Sequence, residues 1–475
     1  MRPRPLTAFV GACAVALATL GLSAVGAGAE SEEPPVSLVA AQAAVRPRVA
    51  TVPATPLIPV VRGLLPEAAG IDSAIEDELA DEWLGPRLSL TVRDVASGEH
   101  LVDQAPDRRV TPASLAKLLT AAAVATTLPL DEPFHTRVVQ GAEPGEIVLV
   151  AGGDMLLAVG AGDPEAVDGR AGLGDLAEQV ADSLDTPGRG AGGPGSQVIL
   201  RLDMTYAAGD RFAPGWSDFW IDQGYAGAIS MLGLSRDRAF PLAPAPRRPS
   251  QAAGMAFHQV LEDAGVDVAG EPGDPVEHTR APAEPVVFAE VSSAPARDVL
   301  ALALSDSDNA LIEQLVRQAA VLDGVDTDHA AVTGWVVERV ADYGIDTTGV
   351  ELADLSGLSD GTTIPVRVIA DVLVAASDGS TPELQGALAE LPIAGYTGTL
   401  GNRFHLDVHT PAVGIARAKT GSLPRVTALA GLVVTRDDRL LVYAMVADRT
   451  GLDGAALEAR SVLDEIVTEL ASCGC

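Results

Sequence analysis

The 475 residues carry 65 acidic side chains against 32 basic ones, a formal charge of −33, with only three cysteines. That length exceeds what one compact core usually holds, so two or more domains are expected. A surface this acidic argues against nucleic acid and anionic lipid as partners, and so few cysteines exclude a disulfide scaffold.

Residues 1–29 read as an export leader. Arg2 and Arg4 give a short positive region, 8–25 is apolar, and Ala27-Gly28-Ala29 ahead of Glu30 fits small-x-small cleavage. The apolar part is Ala/Gly-rich, which favours cleavage over a retained anchor. Val10-Gly11-Ala12-Cys13 lies too early to be a lipidation box. No later stretch is long and apolar enough to span a bilayer, so the mature chain is expected to be secreted, with no stable transmembrane anchor. With Cys13 lost, only Cys473 and Cys475 remain. A bridge in that tail (473–475) would close a tight local loop and staple nothing in the core.

Residues 30–70 are read as a Pro/Ala-rich linker in which Pro53, Pro56 and Pro59 recur without period. Order is expected from Ile71, with Ile75, Leu79 and Trp83 at helical spacing. Residues 88–92 alternate as a strand, and 96–99 turn it back into Leu101 and Val102. A helix then spans 114–128 and stops at Pro129.

Ser114-Leu115-Ala116-Lys117 opens that helix, and residue usage makes it conspicuous. The chain has 30 arginines and two lysines, Lys117 and Lys419. Arginine serves general surface roles but cannot lose its proton near neutral pH or act as a compact donor in a small site. At i and i+3 the serine hydroxyl and the lysine amine share a helix face. A serine is a weak nucleophile until a base takes its proton, and a lysine is a base only when burial or a nearby cation lowers its pKa. Lys419 is expected to be that cation.

The middle of the chain mixes strands (146–150, 197–204, 284–292) with helices (173–184, 251–264) and a glycine-rich loop (188–195). It shows no βαβ regularity, so an α+β insert is expected. A helix over 296–304 is interrupted by Ser305-Asp306-Ser307-Asp308, and Asn309 opens another apolar helix. The break lets Ser307 and Asn309 point together while Asp308 faces away. Residues 412–418 alternate as a strand leading into Lys419-Thr420-Gly421-Ser422. Strands over 426–435 and 440–446 complete an antiparallel meander, followed by a helix over 452–470. Gly421 would let a substrate backbone lie along the strand edge, where the N–H groups of Ser422 and Ser114 could form an oxyanion hole.

Ser-x-x-Lys, Ser-x-Asn and Lys-Thr-Gly in this order resemble the serine penicillin-binding proteins and β-lactamases. The long interval from Lys117 to Ser307 resembles the D-alanyl-D-alanine carboxypeptidase/endopeptidase branch. So do Gly152-Gly153-Asp154, Ala213-Pro214-Gly215-Trp216, Ser356-Gly357-Leu358-Ser359, and Gly398-Thr399-Leu400 with Arg403. Leu355 departs from the glycine usual before Ser-Gly.

The resemblance implies an α+β penicillin-binding-protein/β-lactamase-like transpeptidase domain. Its antiparallel five-stranded sheet has helices on both faces, beside an all-helical part. That catalytic domain would comprise 71–145 and 290–472, interrupted by an inserted α+β domain at 146–289. It further implies Ser114 as acylated nucleophile, Lys117 as base and Ser307 as proton relay. Asn309 would hold the substrate or the lysine, and Lys419, Thr420 and Ser422 would receive the terminal carboxylate. Asp203 resembles an acid that binds the free amine of a diamino-acid side chain, though a surface strand aspartate is an equal reading. Peptidoglycan stem peptides would be the substrate, β-lactams covalent inhibitors, the cell wall the location, and no cofactor is implied.

Other readings fit less well. A β-lactamase needs a water-activating glutamate, and no class A-type motif lies between the first two motifs. Gly357-Leu358-Ser359-Asp360-Gly361 matches the α/β-hydrolase elbow formally but lacks a parallel βα series around it. His405 and His409 at i, i+4 lie in an alternating segment without a third metal ligand. A non-catalytic wall-binding relative would not need the motifs intact.

Overall fold

The computed structural model describes residues 63–186, 197–450 and 456–475. The leader, the linker up to residue 62 and the 188–195 loop lie outside the described residues.

A five-stranded antiparallel sheet runs in the order Arg417–Leu423, Val426–Val434, Leu440–Ala447, Leu88–Asp94, His100–Gln104. Leu440–Ala447 and Leu88–Asp94 are buried at every position, because helices cover both faces and remove the need for a polar side. On one face Leu90, Leu429 and Met445 meet Leu463, Ile466 and Leu470 of the helix Ala456–Ser472, together with Ile71 and Ile75. On the other, Ala428, Val442 and Val446 meet Val366, Ile369 and Leu373 of Val366–Ala375.

Beside this sheet stands the all-helical part. The helix Ala116–Thr127 is buried on every side from Ala116 to Ala125 and packs against Asn309–Leu322, His329–Asp342 and Pro382–Leu388. A helix apolar all round belongs in a core, and its alanines let its neighbours approach closely.

A second sheet, ordered Ile199–Asp203, Glu146–Val150, Pro133–Gln140, Val287–Pro295, has its own core with the helices Leu173–Asp185 and Pro249–Asp263. Two features differ from the sequence reading. The sheet draws in Pro133–Gln140, which lies before residue 146. Glu146–Val150 and Ile199–Asp203 pair in parallel across the helix Leu173–Asp185, forming a βαβ unit.

Three further expectations are corrected. The 71–83 stretch is not one helix but Ala68–Ala74, Glu76–Leu79 and a 3-10 turn Glu82–Leu84 capped by Asp81. Residues 412–416 form a turn, with Ala416 N–H donating to Ala412 O, and the strand starts at Arg417. Their alternation reflects Ala412 and Ala416 turning inward from that turn. The Cys473–Cys475 pair is bridged, yet Cys473 is buried in the core and Glu67 N–H donates to Cys475 O, so the tail is packed in and held against Glu67. Among the described residues no helix is long and apolar enough to cross a membrane.

Candidate active site

Ser114 lies in a 3-10 turn, Ala113–Leu115, that leads directly into Ala116–Thr127; neither turn nor helix uses a side-chain cap. Ala113 has φ +49, and two glycines let the turn sit where it does. A Cβ on Gly357 would meet Ala113 O at 2.0 Å, and one on Gly421 would meet Pro112 O at 2.7 Å and Ala113 Cβ at 3.2 Å. The inward approach of the Ser114 turn thus leaves no room for a side chain at Gly421. Ser114 itself is partly exposed.

Lys117 is fully buried, and its Nζ lies 2.9 Å from Ser114 Oγ, 2.5 Å from Asn309 Oδ1 and 2.8 Å from Ser356 O. The Asn309 amide orientation is fixed from its other end, where Nδ2 donates to Tyr225 O at 2.6 Å. Two of the three lysine partners can only accept. A neutral amine here gives its two hydrogens to Asn309 and Ser356, which leaves its lone pair facing the Ser114 hydroxyl. Burial lowers the Lys117 pKa to about 8, with Asp354, Asp308 and Glu313 pulling it back up. Burial is thus the first cause of the lowered Lys117 pKa, ahead of any neighbouring cation. Lys419, also fully buried, is held well below the ordinary lysine range by burial and then by the charge of Lys117.

The Ser-x-Asn segment lies between Ala296–Ser305 and Asn309–Leu322. Ser307 has φ +57 and its Oγ accepts from Lys419 Nζ at 2.9 Å. Asp308 points away from this group: Oδ1 caps the helix through Leu311 N–H, and Oδ2 accepts from Arg238 Nε.

On the edge strand, Ala418 packs toward Ala456–Ser472, so Lys419 by alternation faces the helical part. Its Nζ also donates to Thr420 O at 3.0 Å, while Thr420 Oγ1 lies 2.9 Å from Thr399 Oγ1. Ala418 N–H leaves the sheet toward Pro392 O. The same alternation turns the Thr420 and Ser422 N–H groups to the open edge. Ser422 is exposed, and Arg460 Nη2 lies 3.5 Å from its Oγ.

Beneath these residues lies a polar layer that sequence reasoning gave no role. Asp354, fully buried, accepts from Trp216 Nε1, Ser356 Oγ and the N–H groups of Gly357, Leu358 and Ser359. Glu313 Oε1 accepts from Leu355 N–H and Ser356 N–H, so one residue, Ser356, links this acid through its N–H to the carbonyl that holds Lys117. Burial and then the nearby Asp354 raise Glu313 to about 8. The signal available was a glutamate in the otherwise apolar first turns of 309–322, and an aspartate two residues before Ser-Gly.

Other candidates stand apart. Asp203 ends its strand with Oδ1 taking Thr205 N–H and Oγ1 and Oδ2 taking Ala281 N–H; none of its hydrogen bonds reaches the lysine–serine group. Ser359 of the Gly-x-Ser-x-Gly match is buried and donates to Pro214 O. His409 is buried with its ring edge-on to Phe404, and no group of three potential metal ligands occurs among the described residues.

A Ser-x-x-Lys helix start, a Ser-x-Asn helix break and a Lys-Thr-Gly edge strand, meeting between a helical part and a five-stranded sheet, define the serine penicillin-binding-protein class. The comparisons narrow this. The chain belongs to the D-Ala-D-Ala carboxypeptidase 3 (S13) family, which it matches over residues 71–241 and 234–470, and its enzyme class is that of a serine-type D-Ala-D-Ala carboxypeptidase. A carboxypeptidase of Mycobacterium tuberculosis (strain ATCC 25618 / H37Rv) is 34% identical over 416 residues, 86% of this chain and 85% of that one. The D-alanyl-D-alanine carboxypeptidase of Actinomadura sp. (strain R39) is 30% identical over 431 residues, 76% and 77% of the two chains. Penicillin binding protein 4 of Haemophilus influenzae superposes with a TM-score of 0.66 at 18% identity, over 86% of this chain and 98% of that one. Its complex with a β-lactam gives 0.58 at 18%, over 85% and 98%.

Proposed function

We propose that the chain is exported and trims peptidoglycan stem peptides ending in D-Ala-D-Ala through a Ser114 acyl-enzyme, and that β-lactams acylate the same serine. The observation that carries this is the buried Lys117 amine, whose other two partners are pure acceptors and whose free valence faces Ser114 Oγ.

Ser114 Oγ attacks the carbonyl of the penultimate D-alanine as its proton passes to Lys117. The oxyanion is received by the N–H groups of Ser114 and Ser422. The C–N bond then breaks, and the departing amine of the last D-alanine takes the proton that Lys117 accepted from Ser114, passed on through Ser307, which Lys419 holds in place. The terminal carboxylate lies against Thr420, Ser422 and Lys419, and its charge restores a proton on Lys419 that burial alone disfavours. Water then hydrolyses the ester and regenerates Ser114. Where the leaving amine belongs to a neighbouring stem, the same steps cut a cross-link.

A β-lactam keeps its leaving amine tethered, and hydrolysis of its acyl-enzyme needs an activated water. Glu313, Asp354 and Asp308 are committed to backbone and arginine donors, which supports a stalled complex over β-lactamase turnover. Asp203 is retained as a contact for a diamino-acid amine through Oδ2, which accepts from Ala281 N–H alone and keeps a second acceptor site.

The test is release of D-alanine from a pentapeptide ending in D-Ala-D-Ala. Wild type is expected to release it, and Ser114→Ala to lose about 10³-fold or more in rate. Undiminished release by Ser114→Ala would reject the proposal.

A further inference from the structure

Arg238 enters the site region from the insert, just after the 3-10 turn Ser235–Asp237. Its side chain is 5% exposed. Nε donates to Asp308 Oδ2 at 3.0 Å, Nη2 donates to Asp306 Oδ2 at 2.9 Å, and the guanidinium lies 5.1 Å from the centroid of the Phe240 ring. The two carboxylates are the immediate neighbours of Ser307 in sequence. Between them Ser307 adopts φ +57, a conformation unfavourable for a residue with a side chain and retained only where the surroundings over-determine it. Asp308 in addition caps the helix that begins with Asn309, so its position fixes Asn309 as well.

We propose that Arg238 is a positioning residue for acyl transfer: its planar fork clamps Asp306 and Asp308 so that Ser307, strained between them, keeps its hydroxyl on Lys419. A fork is needed because two carboxylates must be held at a fixed separation, which a single ammonium cannot do. The inserted region thereby becomes part of the catalytic apparatus. This rests on the acyl-transfer reading above.

The experiment measures the first-order acylation constant and the non-covalent dissociation constant for fluorescent penicillin, with thermal melts to correct for folded fraction. Arg238→Gln is expected to slow acylation by about 10–100-fold, with the dissociation constant moving less than about threefold. Arg238→Lys is expected to recover part of the loss, because it can engage one carboxylate. Asp306→Asn loses one arm at a position already partly exposed, so it serves if Arg238→Gln fails to fold, with an expected slowing of about 3–10-fold. The pair is expected to be non-additive, the double variant acylating no more slowly than Arg238→Gln alone. Wild-type acylation in folded Arg238→Gln, or in Asp306→Asn, overturns this proposal alone, as does a strictly additive pair. Absence of label on wild type, or persistent label on Ser114→Ala, overturns the acyl-transfer reading and this proposal with it.

Discussion

A lysine sealed from water serves as a base only in its neutral form, so under the proposed mechanism the protonation of Lys117 is expected to set the pH dependence of acylation. Its pKa of about 8 means that the neutral fraction grows as pH rises through that value. The acylation rate is therefore expected to climb between about pH 7 and 9 and then level off, in stopped-flow measurements with a chromogenic β-lactam. Asp354, Asp308 and Glu313 all hold the proton on Lys117, while Lys419 responds to it from the other side. Asp354 acts most strongly of the three, and Asp354→Asn keeps an oxygen for Gly357 N–H but removes the charge. Its rising limb is expected to move to lower pH; a uniform loss of rate with an unmoved limb would mean that Asp354 acts only as a strut.

At the scale of elements, the Ser114 turn, the Ser356 loop and the edge strand meet at distances only glycine permits. Gly357→Ala places a methyl group 2.0 Å from Ala113 O at a residue with φ +79. A loss of about 3 kcal/mol in urea unfolding is expected, together with slowed acylation; wild-type values for both would show that the turn can yield. The Asn309–Leu322 helix and the Leu88–Asp94 and Leu440–Ala447 strands were legible because periodicity and turn residues agree there. The 71–83 break was not legible, since no glycine or proline marks it and the Asp81 cap shows only locally. The 412–416 turn was misread as a strand because alanines at 412, 416 and 418 mimic a period of two. Pro133–Gln140 was missed as a strand although it pairs with the nearby Glu146–Val150 as well as the distant Val287–Pro295, because its inward positions include the polar Thr136, which blurs the alternation. At the site, the three motifs were readable as local patterns, whereas Asp354, Glu313 and Arg238 act through contacts that only tertiary structure creates.

For the whole molecule, acidity makes the pairing of carboxylates a stability question. Burial disfavours the charged form of Asp94, but hydrogen bonds from Arg439 and Ser97 outweigh it and leave the pKa below the ordinary carboxyl value of 3.8. A depressed folded pKa gives stability that is present above the unfolded value and lost as pH falls through the folded one. Asp94→Asn, which strands a mostly buried Arg439, is expected to cost about 3 kcal/mol at pH 7. The gap from wild type should close below pH 3.8 in thermal melts taken down the pH scale; a gap that persists there would assign the loss to packing. The most direct measurement for the whole molecule is peptide mapping by mass spectrometry after incubation with benzylpenicillin. A single adduct on the peptide containing Ser114, absent from Ser114→Ala, is the expected result; an adduct on Ser307, Ser359 or any other residue, with Ser114 unmodified, would contradict it.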